Sequence, residues 1–434
     1  IFTPANMGVG LVPGDRHLKN KKITWEYSLK WKPSKFNTIY FYVTTNKNAD
    51  KKEIIEYKYL DGKDVQREQN ILKYKTVTLR VGFNTQRDGY IHPCMDIIQD
   101  NIPKLSQQQG YEGDEYIPLP FTPTDPYDPK ASQCNVELKM DNQGNLQMMT
   151  EEGDVFTDNM IIECSYDDTR EGNWKWVPLR VRWDKTAELR AGFKNFGNGY
   201  NVANDNWHSI HHPVTEEMIS QGTSIPSGQT ENEDAYYVRM RGQSYTEYMR
   251  HFHNKYVKKM LITRVSKPGD TLIDLAVGKG GDISKWIDAK LSFVFGIDIS
   301  SDNIHNRLDG ACARYLNYRK RYHNMPHALF VQGNSGENIK DTTALYTERG
   351  KQITNSLFAA TEKNEEKLGK GVYRQYGKAV DGFQVCSCQF AMHYFFESKD
   401  TLHQFLKNVT ETTKVGGYFI GTSCLLYTSD AADE

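Results

Sequence analysis

Short alternating runs fill the first part of the chain. Thr38-Ile39-Tyr40-Phe41-Tyr42-Val43 is rich in β-formers, Thr76 to Phe83 alternates apolar and polar, and Val155 to Tyr166 and Trp174 to Trp183 do the same. Side chains alternate across a strand, so each run predicts a strand with one buried face. Gly, Asn, Asp and Pro separate the runs, and the five prolines from Pro118 to Pro129 predict a loop. Several short strands with long connections predict a small β-barrel over residues 38–190. The Asn/Gly/His/Ser-rich stretch from Gly192 to Gly228 predicts a connector, inside a linker spanning 191–245.

From Tyr245 the period changes. Arg250 to Thr263 is helix-like, and then strand and helix signals alternate. Thr271 to Ala276, Ser292 to Ile297, Ala328 to Gln332, Phe383 to Gln389 and Gly417 to Thr422 predict strands. Ile283, Trp286 and Ile287 mark one helix, and Leu402, Phe405, Leu406 and Val409 another. Ile304, Leu308, Ala311 and Tyr315 fall on a single helical face. The charged stretch Asp341 to Gly377 predicts a solvated helical insertion. This is an α/β pattern: a doubly wound, Rossmann-like parallel sheet over 246–423, preceded by the barrel.

Composition narrows the function classes. The chain has 434 residues, with 54 Lys+Arg against 55 Asp+Glu. That balance excludes a uniformly basic nucleic-acid coat but not a local basic cleft. No apolar run approaches the ~18 residues that a bilayer span needs, so no membrane partner is expected. The seven cysteines include no CxxC pair, and Cys386 and Cys388 are the one close pair. Buried, reduced thiols in a reducing compartment are expected, with no disulfide framework and no metal site.

One loop carries chemistry. Gly278-Lys279-Gly280-Gly281-Asp282 follows the first strand of the α/β region and opens a helix. Glycines there let backbone N–H groups approach a ligand at the positive end of the helix dipole. Asp298 ends the next strand, 24 residues after Asp274. An acid at that place can take both hydroxyls of a ribose. The loop is not GxGxxG, which favours S-adenosylmethionine (SAM) over a dinucleotide.

The run Leu272-Ile273-Asp274-Leu275-Ala276-Val277-Gly278-Lys279-Gly280-Gly281-Asp282-Ile283-Ser284-Lys285-Trp286 resembles the SAM motif of mRNA cap guanine-N7 methyltransferases. Upstream, Phe252-His253-Asn254-Lys255-Tyr256-Val257-Lys258 resembles that family's lysine segment, which implies that Lys258 holds the methionine carboxylate. Downstream, Gln389-Phe390-Ala391-Met392-His393-Tyr394-Phe395 resembles its Gln-Phe-Ala-x-His-Tyr motif. The resemblance implies SAM contacts from Asp274, Gly278, Gly280, Asp298, Gln389 and Phe390, and cap-guanine contacts from His393 and Tyr394. Where many members place an adenine-contacting Asp, this chain has Gln332-Gly333-Asn334-Ser335, so Asn334 and Ser335 are the substitutes. Guanine N7 has a free lone pair at neutral pH. The reaction therefore needs placement and water exclusion rather than an acid–base pair, and no catalytic side chain is assigned.

Two basic motifs precede this region. In Leu29-Lys30-Trp31-Lys32-Pro33, period 2 puts Lys30 and Lys32 on one strand face. In Trp176 to Lys185 it puts Arg180, Arg182 and Asp184 on one face. Each is an ordinary solvated edge strand or half of a triphosphate site. They resemble the last motifs of mRNA guanylyltransferases: the Lys-x-Lys strand ending the nucleotidyltransferase domain, and Arg-x-Asp-Lys on its OB-fold lid. The resemblance implies that Lys30, Lys32, Arg182, Asp184 and Lys185 contact GTP phosphates.

The reading is a viral-type multifunctional mRNA capping enzyme fragment. Residues 1–37 end the nucleotidyltransferase, 38–190 form the OB lid, and 246–423 form a truncated cap N7 methyltransferase. Residues 424–434 read as translated sequencing adapter, and Ile1-Phe2-Thr3-Pro4 reads as cut inside a strand. The nucleophilic lysine of guanylyl transfer is expected upstream of residue 1, so GTP and Mg2+ belong to the longer enzyme. The strand ending at Thr422 is expected to be an uncovered edge that slows methylation and promotes aggregation. Partners implied are the capped mRNA 5′ end and a stimulatory subunit, in a cytoplasmic viral factory, virion or nucleus. The alternatives are a SAM methyltransferase of another substrate and an OB-type RNA-binding module.

Overall fold

In strand β1 (Thr38–Thr45) burial alternates without a break, and Ile39, Phe41 and Val43 point into the core. The computed structural model describes residues 29–59, 71–102, 116–141, 144–223 and 247–423. The expectations for residues 1–28, for the linker beyond 223 and for the 424–434 tail lie outside the described residues. The chain forms two compact units: 1–85 with 114–229, and 86–113 with 230–434.

The first unit is antiparallel. It contains β1, β2 (Glu56–Tyr59), β3 (Ile71–Asn84), β4 (Tyr116–Pro120), β5 (Gln133–Met140), β6 (Leu146–Met149), β7 (Val155–Phe156), β8 (Met160–Tyr166) and β9 (Trp176–Val181). The main path runs β7-β6-β5-β3-β1-β8-β9, with β2 and β4 each pairing β3. The amides of Glu151 and Glu152 donate to the carbonyls of Pro178 and Leu179, which brings the two ends of the path together. The result is a nearly closed antiparallel sheet. Phe41, Phe121, Trp176 and Trp207 pack edge to face within it, an arrangement that aromatic quadrupoles favour.

Four expectations for this unit change. Residues 118–120 are strand, not loop. Pro118 and Pro120 lie two apart, so both missing N–H groups face away from β3, while Phe121 donates to the Leu79 carbonyl. The connector reading gives way at Tyr200–His211, a helix that buries Tyr200, Ala203 and Trp207. Leu29 to Pro33 is no strand beyond an isolated bridge at Leu29, whose side chain is exposed. The Trp31 indole instead donates to the Val214 carbonyl. Finally, β9 stops at Val181 and Arg182 begins a helix, Trp183–Arg190, so Arg180, Arg182 and Asp184 share no strand face.

In the second unit five parallel strands, β10 (Thr271–Asp274), β11 (Phe293–Asp298), β12 (His327–Gln332), β13 (Phe383–Gln389) and β14 (Thr413–Thr422), take the order β12-β11-β10-β13-β14. The central strand β10 is buried throughout, as a sheet covered on both faces requires. The predicted single helix through Leu308 is two helices, Ser301–His305 and Ala311–Arg319. Asn306 breaks it: its side chain accepts from the amides of Leu308 and Asp309. The charged insertion is helical, yet it is not merely solvated, because Ile353, Leu357, Leu368 and Val372 join the core. Among the described strands β14 is an edge, with Val415, Tyr418 and Phe419 exposed.

A segment from between β3 and β4 belongs to this second unit. Helix Pro93–Gln99 buries Cys94, Ile97 and Ile98 in its core. Cys94 and Cys312 form a disulfide across a sequence separation of 218 residues. That corrects the expectation of reduced thiols throughout: local spacing cannot reveal a pair that only the tertiary fold brings together. Cys134, Cys164, Cys386 and Cys388 are free and buried, as expected.

Candidate functional site

The site lies at the carboxyl ends of β10, β11 and β13, where open α/β sheets bind ligands. After β10 the chain turns through Gly278 (φ +53°) and Gly280 (φ +68°). A side chain at Gly280 would press on Ile283 at 3.0 Å, so both backbone shape and space select glycine. The Gly278 amide donates to Asp298 Oδ2 at 2.7 Å. The other oxygen of Asp298 accepts from the Ser300 amide at 3.0 Å and the Asn303 side chain at 2.9 Å. One carboxylate therefore ties the glycine loop to the end of β11, and it is only 7% exposed.

Lys258 comes from a different direction. Residues His253–Lys258 form a π-helical turn between two α-helical pieces, a local widening that recurs at functional sites. Its ammonium lies 3.4 Å from Asp282 and 5.2 Å from the centre of the Phe390 ring. Phe390 itself has φ +58°. A bulky residue in the left-handed region costs of order 1–3 kcal/mol and persists only where its surroundings impose it. Here its amide is held by the carbonyl and hydroxyl of Thr422 at 2.9 and 3.1 Å. Gln389 is buried and accepts from the Thr422 hydroxyl. Glycine at 390 relieves that strain, which offsets much of the lost ring packing. Phe390→Gly is therefore expected to keep the melting midpoint within a few degrees while weakening SAM about tenfold in a calorimetric titration.

His393 and Tyr394 lie on the next short helix, Met392–Phe396, with ring centres 4.2 Å apart. Tyr394 is half exposed, whereas Phe395 is buried against Phe405 and serves the core. The structure gives Asn334 and Ser335 local duties. Asn334 Oδ1 accepts from the Gly336 amide, and the Ser335 hydroxyl donates to the Leu275 carbonyl. Two further groups escaped the sequence reading. His253 sets its ring edge-on to Phe390 at 5.2 Å, and its Nδ1 is buried without a hydrogen-bond partner. Arg314 and Arg321 line a recess of about 430 Å³ beside Gly280 and Gly281. The only available signals were a His within the lysine segment and arginines seven apart.

Burial, reinforced by the charge of Asp282, pushes the Asp274 carboxyl up to about 7. In the folded chain it thus holds a proton that the unfolded chain, near 3.8, has already lost. Between those values the native state binds more protons, so stability falls as pH rises from about 4 to about 7. Asp274→Asn is expected to flatten that slope, measured as the difference in urea midpoint between pH 5 and pH 8.

The residues predicted to contact phosphates belong to the first unit. Lys30 and Lys32 are exposed. Arg182 grips Asp184 through two hydrogen bonds of 3.1 and 2.8 Å and lies 4.3 Å over the Tyr40 ring. The Arg182 contact holds the Asp184 carboxyl down to about 2. Lys185 pairs with Glu188 at 3.2 Å.

The parallel sheet, its glycine loop and the acid ending β11 define an α/β fold of the SAM-methyltransferase type. Residues 227–425 match the mRNA (guanine-N(7))-methyltransferase domain, and residues 97–220 match the mRNA capping enzyme C-terminal domain. The chain thus carries a cap guanine-N7 methyltransferase domain together with an mRNA capping enzyme C-terminal domain. It is 27% identical over 416 residues to a probable mRNA-capping enzyme of Acanthamoeba polyphaga mimivirus, covering 92% of this chain and 30% of that protein. It is 31% identical over 181 residues to the mRNA cap guanine-N(7) methyltransferase of Saccharomyces cerevisiae, covering 40% of this chain and 31% of that protein. The corresponding rice protein, from Oryza sativa subsp. japonica, is 29% identical over 169 residues, 39% of this chain and 37% of its own length. The chain thus spans about a third of the length of these relatives.

Proposed function

We propose that the second unit transfers the methyl group of SAM to N7 of the mRNA cap guanine. One observation carries this reading. Three segments distant in sequence converge, with Lys258 3.4 Å from Asp282 of the glycine loop and 5.2 Å from the Phe390 ring. The donor set suits SAM: an ammonium for its carboxylate, a strand-end acid for its ribose, and an aromatic ring for its body. Asn334 and Ser335 would serve the adenine through their backbone, since their side chains are engaged with Gly336 and Leu275. SAM supplies an electrophilic methyl on a sulfonium. The protein orients and excludes water: Phe390 is fixed by its strained backbone, and His393 and Tyr394 present adjoining rings to the guanine. A guanine bearing positive charge stacks well on aromatic faces.

The first unit is read as the OB-fold lid of a guanylyltransferase. Lys30, Lys32, Arg182, Asp184 and Lys185 then serve GTP phosphates in the longer enzyme, where GTP and Mg2+ act. The proposed domain limits are 1–37, 38–190, 191–245 and 246–423, with helix Tyr200–His211 moved from linker to lid and residues 86–113 moved from lid to the second unit. The capped mRNA 5′ end, a stimulatory subunit and an intracellular viral setting complete it. Among the described residues no helix is long and apolar enough to cross a membrane. Calorimetric titration of the chain with SAM and with a GpppG dinucleotide tests the reading. Saturable binding of both supports it, and binding of SAM alone at millimolar cap analogue points to a methyltransferase of another substrate.

A further inference from the structure

Asp125, His208 and His212 bring a carboxylate and two imidazoles to one point of the first unit, with ligand atoms all within 4.8 Å of one another. His208 Nε2 is 3.3 Å from Asp125 Oδ2, and His212 Nε2 is 3.5 Å from Asp125 Oδ1. Ligands at ~2.0–2.2 Å from a tetrahedral zinc ion sit roughly 3.3–3.5 Å from one another. Each distance is that of one edge of such a polyhedron, but the two end on different oxygens of Asp125, so the carboxylate meets an ion through both oxygens or after a small rotation. The two histidines lie four residues apart at the end of helix Tyr200–His211, which puts them on one face, a turn apart. Their ring centres are 4.7 Å apart.

The loop that supplies Asp125 is fixed to the same helix without help from these three side chains. The Thr124 amide donates to Asn204 Oδ1 at 2.9 Å, the Trp207 indole to the Pro126 carbonyl at 2.9 Å, and the Tyr200 hydroxyl to the Thr122 carbonyl at 2.7 Å. These bonds fix the backbone that carries the three side chains, so an ion need order only the side chains themselves. His211 is engaged elsewhere: its ring packs tilted against Trp207, with centres 4.0 Å apart, and its Nδ1 lies 2.9 Å from the Trp207 carbonyl. All three ligand side chains are partly exposed, so an ion can enter and a water can fill the fourth corner.

We infer that Asp125, His208 and His212 bind one divalent transition-metal ion. Two imidazoles and one carboxylate favour zinc-class ions over Mg2+, which selects oxygen ligands. The ion would clamp the 122–126 loop to the helix that fills the barrel core, a structural role separate from both nucleotide sites. The test uses the whole chain, freed of metal by EDTA and dialysis. Titration with Zn2+ is expected to show one equivalent bound at micromolar or tighter dissociation constant, with a rise of several degrees in melting midpoint that Mg2+ does not reproduce. His208→Ala and His212→Ala should each weaken Zn2+ at least tenfold and abolish the rise. Their midpoints in EDTA should stay within about two degrees of the parent, because neither imidazole is in the core. No binding at 100-micromolar Zn2+ (about that level), or binding of unchanged affinity in the His208→Ala/His212→Ala double variant, as a cysteine site would give, overturns the inference.

Discussion

Asp298→Ala is expected to weaken SAM binding at least a hundredfold. The proposed ribose role gives Asp298 two hydrogen bonds as a charged acceptor, each worth about 1.5–3 kcal/mol, and about 1.4 kcal/mol is a tenfold change. The structure adds a second cost. Asp298 also anchors the Gly278 amide, the Ser300 amide and the Asn303 side chain, so its removal frees the glycine loop as well. Asp298→Asn separates the two effects. It keeps the size and an acceptor oxygen but replaces the other by a donor that faces an N–H group. Calorimetry on both variants, with circular dichroism to confirm folding, checks the expectation. Unchanged affinity in Asp298→Ala would remove the ribose assignment.

Asn408→Ala is expected to destabilise the second unit by about 3–6 kcal/mol, a large part of the stability of an ordinary domain. Asn408 is fully buried in helix Lys399–Thr412. Its oxygen accepts from the Ile339 amide at 2.9 Å, and its nitrogen donates to the carbonyls of Ser335 and Glu337 at 2.8 and 2.6 Å. Truncation leaves the Ile339 donor and the Ser335 acceptor buried without partners, at about 1–3 kcal/mol each, and removes the bond to the part-buried Glu337 carbonyl, worth about 1 kcal/mol. The segment so held follows β12 and includes Asn334 and Ser335, so the SAM site should loosen with it. Urea unfolding measures the first effect, and a midpoint within error of the parent would contradict it.

Strong periodicity made the methyltransferase sheet legible. Phe383–Gln389 is strand over the predicted residues, and the Gly-rich turn and Asp298 stand where the strand–loop–helix–strand pattern puts them. The failures share a cause, which is that tertiary partners decide what local patterns leave open. Prolines at 118 and 120 read as a loop until β3 supplies a ladder they can flank. The alternation through Arg180, Arg182 and Asp184 continues past the strand, because Arg182 and Asp184 pair with each other at a helix start. Cys94 and Cys312 meet only because a segment inserted between two strands of one unit packs in the other. The local part of the Asp125 cluster was visible as His208 and His212 four apart, but nothing in sequence ties Asp125 to them. Within the site, the family resemblance pointed to Phe390, while the backbone strain that fixes its ring is visible only in three dimensions.

The most direct test of the central claim follows the methyl group. The chain is incubated with methyl-labelled SAM and RNA bearing an unmethylated GpppA end, and the cap is released by nuclease digestion and resolved by chromatography. The account predicts label in 7-methylguanosine of the released cap, and its loss in Asp298→Ala. Label confined to another position of the RNA, or no cap label under conditions where SAM is shown to be bound, would contradict it.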